Sequence, residues 1–102
     1  MNAVLDPRIS GMLYLQDQEY EGEYDLRKCK IVASRHFIDT FPTEAQNLVS
    51  AAIDLVNSTY HGNADYLQVL FYKKGNEQIK FYLIVDEYED GLVLTALLPS
   101  DR

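Results

Sequence analysis

The sequence predicts an α+β protein: one amphipathic helix packed on an antiparallel sheet of three to five strands. Apolar residues recur at helical spacing from Ala45 to Val56, and three apolar runs of strand length follow between 66 and 98. The links between those runs are rich in turn residues. With 102 residues the chain forms one domain, long enough for a single core without disulfides or metal. It divides into an acidic N-terminal portion, 1–27, and a strand–helix–three-strand core, 28–102.

GMLYLQ (11–16) reads as a short strand, and RKCKIVASRHF (27–37) as another. The helix spans about 42–58, within FPTEAQNLVSAAIDLVNSTY. Ala45, Leu48, Val49, Ala52, Ile53 and Val56 fall at i, i+3, i+4, i+7, i+8 and i+11, one helical face. Leu48, Ile53 and Val56 are expected inside, whereas Asn47, Ser50 and Asp54 should face water. Pro42 suits the first turn, Thr40 or Thr43 can cap it, and Glu44 complements the positive helix end. The helix should stop between Asn57 and Tyr60, before HGN.

YLQVLFY (66–72) and IKFYLIV (79–85) are joined by KKGNEQ, a hairpin link carrying Gly-Asn. LVLTALL (92–98) follows the acidic turn DEYEDG. In this meander Leu67, Val69, Phe71, Ile79, Phe81, Leu83 and Val85 are expected to pack on the helix. Tyr66, Gln68, Leu70, Tyr72, Lys80, Tyr82 and Ile84 would form a wetter, aromatic opposite face, covered by the chain or by a partner.

QDQEYEGEYD (16–25) places Asp17, Glu19, Glu21, Glu23 and Asp25 at alternate positions, with Tyr20 and Tyr24 between them. In an extended segment these five carboxylates line one side. A charged edge of this kind discourages strand-to-strand aggregation. With Asp86, Glu87, Glu89 and Asp90, the two segments hold nine of the sixteen acids. A single electrostatic patch requires the fold to bring them together.

Charge and composition exclude several functions. The formal charge is −7, so direct nucleic-acid binding and binding to an anionic membrane are not expected, and a charged partner should be basic. Eight Tyr without Trp suits half-buried or interfacial positions. A lone Cys29 cannot form an internal disulfide and fits a reducing cytoplasm. No basic n-region leads an apolar run at the start, and no apolar stretch approaches the ~20 residues of a membrane span.

Catalytic and metal motifs are likewise missing. From Asp17, acids at positions one, three and five with Gly22 at six are similar to a calcium loop. Lys28, however, stands at position twelve, where a bidentate Glu is required. His36 and His61 lack partners at zinc spacing, and Ser34-Arg35-His36 has no nucleophile-elbow setting. No phosphate-binding Gly-rich loop is present. The expectation is a protein with no enzyme activity, cofactor or metal.

The segment IVASRHFIDTFPTEAQNLVSAAIDLV, followed by DYLQV (65–69) and LTALLP (94–99), resembles a short family of unknown function. That family occurs in Gram-positive bacteria and their mobile elements. Ser34-Arg35, Pro42, Asp65 to Val69 and Leu97-Leu98-Pro99 carry the resemblance over residues 30 to 100. The acidic N-terminal portion departs from it, and the family lends no settled activity.

In size and charge the chain also resembles anti-CRISPR proteins and other phage-borne DNA mimics. That resemblance implies inhibition of a basic nucleic-acid-handling host protein, such as a Cas nuclease. Asp17, Glu19, Tyr20, Glu21, Glu23, Tyr24, Asp25, Asp86, Glu87, Glu89 and Asp90 would form the contact. The alternative is a non-enzymatic interaction or homodimerisation module whose acids serve solubility.

Overall fold

The chain runs β1 (Asn2–Val4), β2 (Met12–Leu15), a 3-10 turn (Leu26–Lys28), β3 (Lys30–Ala33), α1 (Arg35–Thr40) and α2 (Ala45–Tyr60). It continues through β4 (Leu67–Lys74), β5 (Glu77–Tyr88), β6 (Gly91–Leu97) and a closing 3-10 turn (Pro99–Asp101). This computed structural model describes residues 2–18 and 22–102. The architecture is α+β: both helices pack on one sheet of order β1-β2-β4-β5-β6-β3. Among the described residues six strands replace the expected three to five, and the sheet is mixed because β3 runs parallel to β6. A parallel neighbour needs a long crossover, which the two helices between β3 and β4 supply.

The expected strand over 27–37 is cut short at Ala33. Ser34 is extended, and its Oγ accepts from the Phe37 N–H at 3.0 Å, capping a helix that local propensity alone does not announce. α2 starts three residues later than expected. Glu44 holds its N-cap position without a capping bond from its side chain, Pro42 lies in the preceding turn, and Thr40 bonds back to His36 O within α1. The buried stripe of α2 is as expected: Leu48, Ile53 and Val56 lie inside, while Asn47 and Asp54 are exposed and Ser50 is half-buried. The helix ends at a left-handed His61 (φ 54°) followed by Gly62 (φ 79°).

Both expected hairpins form, but β4 presents the opposite face from the one expected. A two-residue Gly75-Asn76 turn pairs Lys74 with Glu77, so even positions of β4 stand opposite odd positions of β5. Tyr72, Leu70 and Gln68 therefore join Ile79, Phe81 and Leu83 beneath the helices. Leu67, Val69 and Phe71 share the open face with Ile84, Tyr82 and Lys80. A one-residue change of phase exchanges the two faces, and β4 is apolar on both.

β2 brings the N-terminal portion into the sheet, with Leu13 and Leu15 fully buried between β1 and β4. Under the helices, Phe37 lies 5.0 Å from Phe41 and 5.3 Å from Phe81, and Phe41 lies 5.8 Å from Tyr72, ring centre to ring centre. Tilted and edge-on aromatic contacts of this kind knit α1 to the sheet.

Candidate functional site

The fold joins the two acidic segments. Past the left-handed turn that ends α2, residues 63–65 run alongside 22–24. Gly22 N–H donates to Asn63 O at 3.1 Å, and Tyr24 and Ala64 exchange backbone bonds of 3.0 and 2.9 Å. A Cβ on Gly22 would fall 2.1 Å from Ala64 O and 2.4 Å from Asp65 Cα. The approach is thus open only to glycine. Val85 N–H then bonds Tyr66 O at 2.8 Å, holding the same loop to β5.

The result is a shallow concavity of about 640 Å³ lined by Gly22, Glu23, Tyr24, Asp65, Tyr66, Val85, Asp86 and Glu87. Four carboxylates share it with two tyrosines. Tyr24 packs its ring against the core and donates its hydroxyl to Glu87 Oε1 at 3.0 Å. That bond pushes the Tyr24 hydroxyl up from its ordinary pKa; the carboxylates of Glu23 and Asp65 add to it. Tyr66 is 46% exposed. The surface offers anionic acceptors beside an accessible aromatic ring, a combination suited to Lys and Arg side chains.

Glu23, Tyr24, Asp86 and Glu87 thus meet as the acidic-patch reading required. Glu89 and Asp90 lie beyond Glu87 in the exposed β5–β6 turn and do not line the cleft. Asp25 turns away from the cleft. Its Oδ1 accepts from Asn57 Nδ2 at 2.9 Å and from the Arg27 N–H at 3.0 Å. The bond from Asn57, then that from Arg27, hold its carboxyl below the ordinary range. Asn57 Oδ1 in turn accepts from the Leu26 N–H, fastening the 3-10 turn to α2. Asp17 is exposed; burial raises the Tyr60 hydroxyl pKa, and the charge of Asp17 adds to the rise. Glu19, Tyr20 and Glu21 lie outside the described residues, and with them the expected unbroken row of five carboxylates.

Asp65 and Tyr66 complete the cleft and were not singled out by residue pattern. They stand at the start of the DYLQV motif, but their neighbours in the cleft are some forty and twenty positions away in sequence. Only the long-range approach at Gly22 identifies them.

A Ser–His–Asp group also forms at the end of β3. Ser34 Oγ donates to Asp101 Oδ2 at 2.7 Å, while His36 Nδ1 lies 3.2 Å from Asp101 Oδ1 and 3.1 Å from Ser100 Oγ. The Asp101 carboxylate stands between Ser34 and the imidazole, and Ser100 shares Nδ1 with that carboxylate, whereas nucleophile activation needs the imidazole between serine and carboxylate. What the group does is clamp the closing 3-10 turn, with Asp101 also accepting from the Leu98 N–H. Burial raises the pKa of the half-buried Cys29 thiol, disfavouring a reactive thiolate.

Among the described residues no three His, Cys, Asp or Glu side chains come close enough to hold a metal ion. No described helix is long and apolar enough to cross a membrane. The fold and site together define an α+β protein with an acidic, tyrosine-lined cleft. Comparison with protein-family models, with curated proteins and with solved structures gave no match to this chain.

Proposed function

We propose that this protein is a non-enzymatic inhibitor that engages a basic, nucleic-acid-handling protein through its acidic cleft, acting as an anti-CRISPR protein on a Cas nuclease. One observation carries the reading. Glu23, Asp65, Asp86 and Glu87 converge with Tyr24 and Tyr66 in one concavity, although the sequence separates them into three segments. A groove that grips phosphates does so with clustered Lys and Arg, and a preassembled set of carboxylates competes for the same cations. A −7 charge would speed the encounter and make it sensitive to salt. Tyr66 adds a ring on which a guanidinium can stack.

The test is a pull-down from cells expressing candidate Cas nucleases, followed by affinity measurement across a salt series. Asp65→Asn with Asp86→Asn and Glu87→Gln should weaken binding about tenfold or more and flatten its salt dependence. Glu19→Gln, Glu21→Gln and Glu23→Gln together should act in the same direction. Unchanged affinity across the salt range in both variants would retire the proposal. A concentration-dependent dimer that captures no nuclease would favour the homodimerisation module instead.

A further inference from the structure

We propose that the open edge of β3 is a second docking site, which takes an extended segment of a partner protein by strand addition. The segment it fits has apolar side chains at alternate positions and acidic residues at its ends. This site is separate from the acidic cleft: Ile31 lies two strands from Val85, across Leu94.

β3 closes the sheet order and, among the described residues, pairs with β6 alone. Ser34 N–H bonds Ala96 O at 2.9 Å, which sets the alternation of the amides along the strand. Lys30 and Val32 point their backbone groups at β6, so Ile31 and Ala33 point theirs outward. Nothing among the described residues bonds those four outward groups. Edge strands are ordinarily blunted by shortness, charge, Pro or a bulge; β3 (KIVA) is four residues with a lysine at its start, but Ile31, Val32 and Ala33 carry neither charge nor proline.

The side chains of Ile31 and Ala33 face the helices, in register with Leu94 and Ala96. There they border a groove of about 560 Å³ between β3 and the helices, whose apolar lining includes Ile38, Pro42 and Val49. Ile31 is 50% exposed and Ile38 43%, so apolar surface stands uncovered beside an unpaired edge. A strand added there lies ~4.8 Å further out, with every second side chain over the groove. Backbone bonds and an apolar pocket are the two halves of recognition by strand addition.

Charge selects the occupant. Arg27, Lys28, Lys30 and Arg35 place four of the nine cations of an acidic chain around this one strand. Among the described residues Arg35 is tied to Asp39 alone, at 3.4 Å and in solvent. A second copy paired two-fold through β3 would gather the lysines and arginines of both copies along one seam, where like charges repel. Acidic residues flanking the incoming segment meet them favourably.

The probe is the capped peptide Glu-Glu-Val-Thr-Val-Thr-Val-Glu-Glu, titrated into the full chain and followed by amide NMR. Shifts should centre on Ile31 to Ser34 and on Ile38. The same peptide with Lys in place of Glu should bind about tenfold or more weakly. Ile31→Pro removes an outward N–H without touching the β6 ladder and should abolish binding. Should that variant misfold, the peptide N-methylated along its inward edge serves instead, and it should not bind the unaltered protein. Failure of the acidic peptide to bind, equal affinity for both peptides, or shifts centred elsewhere would overturn the proposal. So would retained binding after Ile31→Pro or N-methylation, or a concentration-dependent dimer that buries β3. Asp86→Asn with Glu87→Gln should not weaken peptide binding, which separates this site from the cleft.

Discussion

Tyr24 donates its hydroxyl to Glu87 Oε1 at 3.0 Å, joining acidic segments that stand 63 positions apart. The bond turns two stretches that look like separate solvated charge runs into one surface. Its donor also rests on the core, so the segment is anchored at Tyr24. The contact therefore reports on both the fold and the cleft.

Titration of Tyr24 tests that contact directly. A neighbouring carboxylate that accepts the hydroxyl proton disfavours the phenolate, so Tyr24 should ionise above its ordinary value. Glu87→Gln should bring the ionisation down toward that value, and Tyr24→Phe should remove it. The difference in tyrosinate absorbance between the Tyr24→Phe variant and the parent isolates the group. An unshifted Tyr24 would mean that the two segments do not touch in solution.

Gly22→Ala places a methyl 2.1 Å from the carbonyl oxygen of Ala64, a backbone atom that cannot rotate away. Either the segment lifts off residues 63–65 or the loop distorts, at a cost of about 1–3 kcal/mol. Denaturant unfolding should show the loss, and limited proteolysis should show earlier cleavage within 16–25. Gly75, where an added Cβ meets nothing within 4 Å, provides a control in which only the positive φ of 63° penalises Ala.

Ile53→Ala should cost about 2–5 kcal/mol, because the side chain is buried in the stripe that α2 turns to the sheet. Asn47→Ala, on the exposed side of the same helix, should change stability by no more than about 0.5 kcal/mol. Urea unfolding of the two variants checks the facing of α2. Equal effects would contradict it.

Stability should fall in acid, in a window set by four carboxylates. The bond from Arg8 lowers the pKa of Asp6 to about 2. Asn57, Ser10 and Ser34 are the leading donors that lower Asp25, Glu44 and Asp101 respectively. Each native pKa lies below its unfolded value, so unfolding takes up protons and stability rises with pH. The contribution is complete above the ordinary carboxylate range of about 4 and lost as pH falls through the native values. Melting temperature should be level from pH 7 to about 5 and drop toward pH 2, with Glu44→Gln reducing the slope. A level profile down to pH 2 would contradict these bonds.

By itself the sequence determined the α+β class, the α2 stripe of Leu48, Ile53 and Val56, and both hairpins. These are local: helical period and turn residues act within a few positions, and burial follows from them. Which face of β4 turns inward is not set within β4, because Leu70 and Tyr72 are no more apolar than Val69 and Phe71. The Lys74–Glu77 pairing breaks that tie. Tertiary structure decided that 27–37 is a short strand and a helix: the parallel register with β6 ends at Ala33, and Asp101, 67 positions away, holds the Ser34 hydroxyl. The cleft was half legible, as charge runs at 17–25 and 86–90. Their meeting, and the inclusion of Asp65 and Tyr66, depend on a backbone approach at Gly22 to residues some forty positions away. No local pattern encodes an approach of that range, because it exists only once the helix and sheet have set the loop in place.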